Sequence, residues 1–200
     1  MPTNVIPLSP IPRPPRPDDD DLMREVAAGS REAMRVLAER YAAPLTSFCA
    51  KAIGDRAVAE EIVQETFVRV WHHRAYYRAS GKFNVYLLTA ARNLCRNHAR
   101  SASRFGRWFG KRIDEAELSS VRGDDDPVEE LLELERAEHV KTALAALALP
   151  MREAILLRFD QGLAYEEIAE IVGAPESTVR SRVHHGLKEL RRVLTRGGAP

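Results

Sequence analysis

The sequence predicts an all-α protein: two small helical bundles joined by a flexible acidic linker. Beyond residue 21, apolar side chains recur at three- and four-residue spacing nearly everywhere, with no sustained period-two alternation to suggest strands. Glycine and proline, dense at the N-terminus, become sparse. Charge is also segregated: the formal total is +1, yet residues 78–112 carry +9, 113–136 carry −8 and 176–200 carry +4. Two hundred residues suffice for a core without disulfide or metal staples.

Residues 1–21 hold seven of the twelve prolines and end on Asp18–Asp21, so they are read as a disordered tail. The first block spans 22–104. A helix through Val26 stops at Gly29, Ser30 caps the next, and Pro44 is expected to bend or break that one. Gly54-Asp55 precedes a helix through Trp71, and a further helix covers Asn84 to Arg100. Residues 105–125 form the linker. The second block, 126–196, opens on Asp126-Pro127-Val128-Glu129, an N-cap acid with proline at the first helical position. That helix is expected to end at Leu149-Pro150. Helices over Met151–Phe159, Tyr165–Val172 and Glu176–Leu194 follow, with Gly162 and Gly173 as breaks.

Several classes are excluded. The longest apolar run is seven residues, Ala143–Leu149, whereas a membrane span needs about 20. No signal-peptide pattern opens the chain, and Cys49 and Cys95 form no disulfide framework, so a cytoplasmic protein without membrane insertion is expected. No phosphate-cradling loop, nucleophile elbow or metal-ligand spacing is present: no enzyme, no metal and no cofactor are expected. Asp18–Asp21 and Asp124–Asp126 are read as solvating or capping. A pI near 7.9 speaks against a nucleic-acid binder until the charge is split by segment.

Three stretches carry chemistry. Tyr165 to His184 has the form of a DNA-binding helix-turn-helix, with Ala169 at the close approach, Gly173 in the turn and Ile168, Val172, Val179 and Val183 as shared core. Its second helix turns Ser177, Thr178, Arg180, Ser181, Arg182, His184 and His185 to other faces. Arg180 and Arg182 can read guanine or clamp phosphate, and being two residues apart they cannot both face a base. A plain helical hairpin with a solvated basic face is the alternative.

In the second, Tyr76, Tyr77, Phe83 and Tyr86 interleave with Arg74, Arg78 and Lys82 around Ser80-Gly81. Flat rings among phosphate neutralisers suit single-stranded nucleic acid. On the next helix Leu87, Leu88, Ala91, Leu94 and Cys95 make a core stripe, while Thr89, Asn93, Arg96, Asn97 and Arg100 form a polar strip able to meet bases and backbone. Aromatics packed in the core would be the blander account. In the third, Ile62, Val63, Thr66, Phe67, Val70 and Trp71 face inward, leaving Glu61, Gln64, Glu65 and Val68 on another face. Such a face fits a basic partner helix or simply water.

The motifs Ala59-Glu-Glu-Ile-Val-Gln-Glu-Thr-Phe-Val-Arg-Val-Trp71, Ala90-Ala-Arg-Asn93 and Leu149-Pro-Met-Arg-Glu-Ala-Ile-Leu-Leu-Arg158, leading into Tyr165-Glu-Glu-Ile-Ala-Glu-Ile, occur in an order and spacing that resembles regions 2 and 4 of the extracytoplasmic-function (ECF) sigma factors of the sigma-70 family. The resemblance implies a subunit that directs core RNA polymerase to promoters. It implies that Glu60, Glu61, Gln64 and Glu65 bind the beta-prime clamp helices, and that the beta flap is a further polymerase contact. Tyr77, Arg78, Ser80, Lys82, Phe83, Asn84, Tyr86, Asn93, Arg96, Asn97 and Arg100 would capture and melt the −10 element of promoter DNA, and the helix from Glu176 would read the −35 element. An anti-sigma factor would hold the protein inactive. The sequence departs from the family pattern at Phe83-Asn-Val-Tyr-Leu87, where Trp-Leu is common, and at Asn97-His98-Ala99-Arg100, which lacks a usual Asp.

Overall fold

The computed structural model describes residues 18–109 and 139–197, with side chains over 19–101 and 139–195. Among these there is no strand. The helices are α1 (Asp18–Ala27), α2 (Arg31–Ile53), α3 (Arg56–His72), α4 (Phe83–Phe109), α5 (residues 139–146), α6 (Leu149–Ile155), α7 (Tyr165–Val172) and α8 (Glu176–Gly197). A 3₁₀ turn, Arg74–Tyr76, follows α3, and α6 runs into a π turn, Leu156–Asp160.

Local chemistry explains most boundaries. The Ser30 hydroxyl accepts the Ala33 N–H at 3.1 Å to open α2, and Gly54 at φ 91° closes it. Asp55 then caps α3 by accepting the Val58 N–H at 3.1 Å. In the second unit Gly173, φ 62°, turns α7 into α8.

Four expectations are corrected. Asp18–Asp21, assigned to the tail, form the first turn of α1, because Asp19 and Asp20 both find hydrogen-bond donors on other elements. Pro44 does not break α2: it is exposed, while Leu37, Tyr41, Leu45, Phe48, Cys49 and Ala52 hold the inner face in the core and override the local penalty. Leu149-Pro150 begin α6 rather than end the preceding helix, with proline in the first turn where its missing N–H is not needed. Helix α4 continues to Phe109 through a stretch without proline, into what was expected to be linker. The helix start at Asp126-Pro127 lies outside the described residues.

Helices α1–α4 form one unit and α5–α8 another, and they pack on each other. Helix α7 lies against α4, and the π turn against α2. One core runs through both, from Met23, Phe48 and Phe83 to Leu157, Ile168 and Val179. Arg152 ties the seam by donating to the Ala52 carbonyl at 2.8 Å and to the Leu147 carbonyl at 3.1 Å, which satisfies free carbonyls at the ends of α2 and α5. Gln161 donates to the Pro44 carbonyl at 3.2 Å, and Lys51 pairs with Asp160.

Candidate nucleic-acid interface

The loop between α3 and α4 is built on aromatic packing. Arg74 stacks over the Trp71 ring at 4.4 Å and donates to the Trp71 carbonyl at 2.8 Å, ending α3. Phe83 is 1% exposed, its ring edge-on to Tyr41 at 5.4 Å and to Tyr77 at 5.9 Å. This corrects its place among base-contacting residues, since a ring enclosed on its faces has no surface for a base. Tyr77 and Tyr86, edge-on at 5.3 Å, are half-buried, and burial raises both phenols above the ordinary tyrosine value. Arg78, Ser80 and Lys82 are exposed and Asn84 half-buried. Tyr76, grouped with these rings in the sequence, is 82% exposed beside the His73 ring.

Along α4 the expected stripe is buried: Leu87, Leu88, Ala91, Leu94 and Cys95. Cys49 and Cys95 meet inside it, and their mutual hydrogen bond together with burial pushes the Cys49 thiol up, so these are inert core sulfurs. Asn93, Asn97 and Arg100 are exposed. Arg96 is not free: it and the buried Arg92 both bind Glu153 of α6, at 3.1 and 2.9 Å. Arg92 also donates to the Ile171 carbonyl at 3.1 Å, and Lys82 pairs with Glu170 at 2.7 Å. Three cations on this face of the first unit are thus matched by the second unit's acids and carbonyls. Sequence spacing did not reveal this, because the partners lie 57 or more positions apart.

In the helix-turn-helix, Ile168, Val172, Val179 and Val183 are buried as expected, joined by Ile171. Gly186, which carried no sequence signal, is packed so closely that a Cβ would sit 2.8 Å from Ile155 Cδ1 and 3.2 Å from Met151 Cβ. On the opposite face Ser177, Arg180, Ser181 and His184 are exposed in one strip, and Lys188, one helical repeat further, extends it. Thr178 and Arg182 are half-buried on the flank, and His185 is exposed there. Arg180 lies over the Tyr165 ring at 4.2 Å and is held by Glu176 at 2.6 Å; Arg158 covers the same ring at 4.9 Å. Arg182 instead lies near enough to Arg92 to oppose its charge.

On α3, Glu60, Glu61, Gln64, Glu65 and Val68 are all exposed, with Glu60 paired to Arg56 and Glu65 to Arg69 along the helix. Among the described residues no three metal-ligating side chains gather, and no helix is long and apolar enough to cross a membrane.

Comparison with known proteins adds the family. Sigma-70 region 2 matches residues 37–105 and sigma-70 region 4 matches residues 138–190. The ECF RNA polymerase sigma factor SigL of Mycobacterium tuberculosis is 31% identical over 169 residues, covering 84% of this chain and 92% of SigL. The RNA polymerase sigma factor CarQ of Myxococcus xanthus is 29% identical over 172 residues, covering 86% and 95%. Two solved structures share the fold at 22% identity and a TM-score of 0.66. One is CnrH in complex with the cytosolic domain of CnrY, covering 88% of this chain and 97% of that one. The other is Bartonella quintana RpoE in complex with the anti-sigma factor NepR, covering 80% and 98%. The order of the two matched regions and the similarity to SigL lead to one conclusion: the chain belongs to the ECF sigma factors of the sigma-70 family.

Proposed function

We propose that this sigma factor reads two promoter elements with its two units: the −35 element with α8 and the −10 element with the 77–86 loop and the polar strip of α4. The observation that carries it is the strip of Ser177, Arg180, Ser181 and His184 on one exposed face of α8, just beyond a tight glycine turn. That face suits a major groove, with Arg180 packed over Tyr165 and paired to Glu176 at its start. Arg78, Ser80, Lys82, Asn84, Asn93, Asn97 and Arg100 supply phosphate neutralisation and base-edge contacts for the melted strand, and Tyr77 and Tyr86 present ring edges to it.

Core RNA polymerase is the obligatory partner. Glu60, Glu61, Gln64 and Glu65 bind its beta-prime clamp helices, and its beta flap is a further contact. The protein acts in the cytoplasm. An anti-sigma factor holds it inactive, a reading supported by its likeness to a sigma factor solved with NepR. Because Lys82, Arg92 and Arg96 face the second unit, promoter reading requires the units to part on polymerase. Reconstituting core polymerase with this chain and mapping transcript starts on genomic fragments tests the reading: two elements upstream of the starts are expected. No initiation on any fragment would overturn it.

A further inference from the structure

Helix α1 lies outside the matched region 2, which begins at residue 37, yet it reaches the loop that region 2 presents. We propose that Asp20 of α1 is a positioning residue for −10 recognition, its carboxylate fixing the 78–82 loop by bridging the Tyr77 hydroxyl and the Gly81 amide. This rests on the reading of that loop as part of the −10 interface. Asp20 Oδ1 accepts the Tyr77 O–H at 2.6 Å and Oδ2 accepts the Gly81 N–H at 2.6 Å. One side chain therefore pins both ends of the segment that exposes Arg78, Ser80 and Lys82.

Both ends are also held from behind. The Tyr77 ring is braced by Phe83 and Tyr86, so its hydroxyl cannot swing away from α1. Gly81 has φ 69° and a Cβ there would meet nothing within 4 Å, so glycine is required by the backbone turn that aims its N–H, not by space. Helix α1 is a firm base. Met23 and Val26 are fully buried, and Asp19 accepts hydrogen bonds from Tyr41 and Arg40 of α2. A carboxylate on a DNA-facing surface would repel phosphate, and here two donors occupy it, which suits holding the loop better than touching DNA. An amide in its place offers one oxygen and turns an NH₂ towards the second donor.

The test compares D20N and Y77F, singly and together, in the full chain and in holoenzyme. In D20N the Gly81 amide proton is expected to move upfield as its charge-assisted bond is lost. Open-complex formation is expected to fall about tenfold, the scale of one charge-assisted hydrogen bond. Discrimination among −10 variants should flatten, with core binding and −35 dependence unchanged. Y77F keeps the packed ring and should reproduce part of the loss, and adding it to D20N should cost little more. If wild type discriminates among −10 variants and D20N does so equally well, the proposal fails while the reading of the loop stands. A wild-type holoenzyme indifferent to the −10 sequence would overturn both.

Discussion

Glu153 of α6 lies between Arg92 and Arg96 of α4, its Oε2 2.9 Å from Arg92 Nε and its Oε1 3.1 Å from Arg96 Nε, in a side chain 1% exposed. Burial lowers the Arg92 pKa and the neighbouring carboxylate opposes that shift. Such a pair stabilises little over apolar packing, but losing one partner leaves a buried unpaired charge at a cost of ~3–5 kcal/mol. The partners belong to different units, so separating the units is the direct escape.

Glu153→Ala is therefore expected to open the molecule. Small-angle scattering should show a larger radius of gyration, and the free chain should bind promoter duplex more tightly. Glu170→Ala breaks a pair whose side chains are 51% and 52% exposed and should leave stability nearly unchanged. Identical scattering for wild type and Glu153→Ala would show that this contact does not close the molecule.

Arg180 and Arg182 should separate by role. Arg180 stands on the exposed strip, so Arg180→Ala is expected to weaken −35 use by ~1–3 kcal/mol if it reads a base. A loss indifferent to the −35 sequence would mark it as a phosphate contact. Arg182 opposes Arg92, so Arg182→Ala should slightly tighten the closed arrangement. Promoter titrations with −35 substitutions and scattering distinguish the two.

Gly186 lets α8 approach α6. Alanine there gains helix propensity of nearly 1 kcal/mol but crowds Ile155 and Met151, and overpacking costs ~1–3 kcal/mol. Ile155 Cδ1 can rotate aside; Met151 Cβ cannot. A net loss of ~1 kcal/mol, seen as a Tm lower by about 3 °C, is expected.

Tyr77 gives a signature at high pH. Burial first, and then its bond to Asp20, raise its pKa in the folded chain. The folded state then holds a proton that the unfolded state releases near pH ~10. Its stabilising contribution is complete below that pH and is lost as pH rises further. Denaturant titrations from pH 9 to 11 should show a steeper loss of stability for wild type than for Y77F, and equal slopes would remove Tyr77 as the cause.

Much of the fold was legible because it is local. Ser30, Gly54, Asp55 and Gly173 each act through their own backbone and first-turn neighbours, and the stripe Leu87, Leu88, Ala91, Leu94 and Cys95 shows its period in any window. The helix-turn-helix core was legible for the same reason. The exposed strip of α8 was visible in part, as Ser177, Arg180, Ser181 and His184, whereas Phe83 was misjudged because an aromatic beside a loop reads alike whether its ring faces water or the core.

By itself the sequence determined the helices, the two matched regions and the separation of basic from acidic segments, since periodicity, capping and composition are properties of short windows. Only the tertiary structure decided which charges are spent on the protein itself. Asp20 is committed to Tyr77 and Gly81, and Arg92 and Arg96 to Glu153, because hydrogen bonding and charge pairing depend on distance in space, and these partners are 57 or more residues apart along the chain.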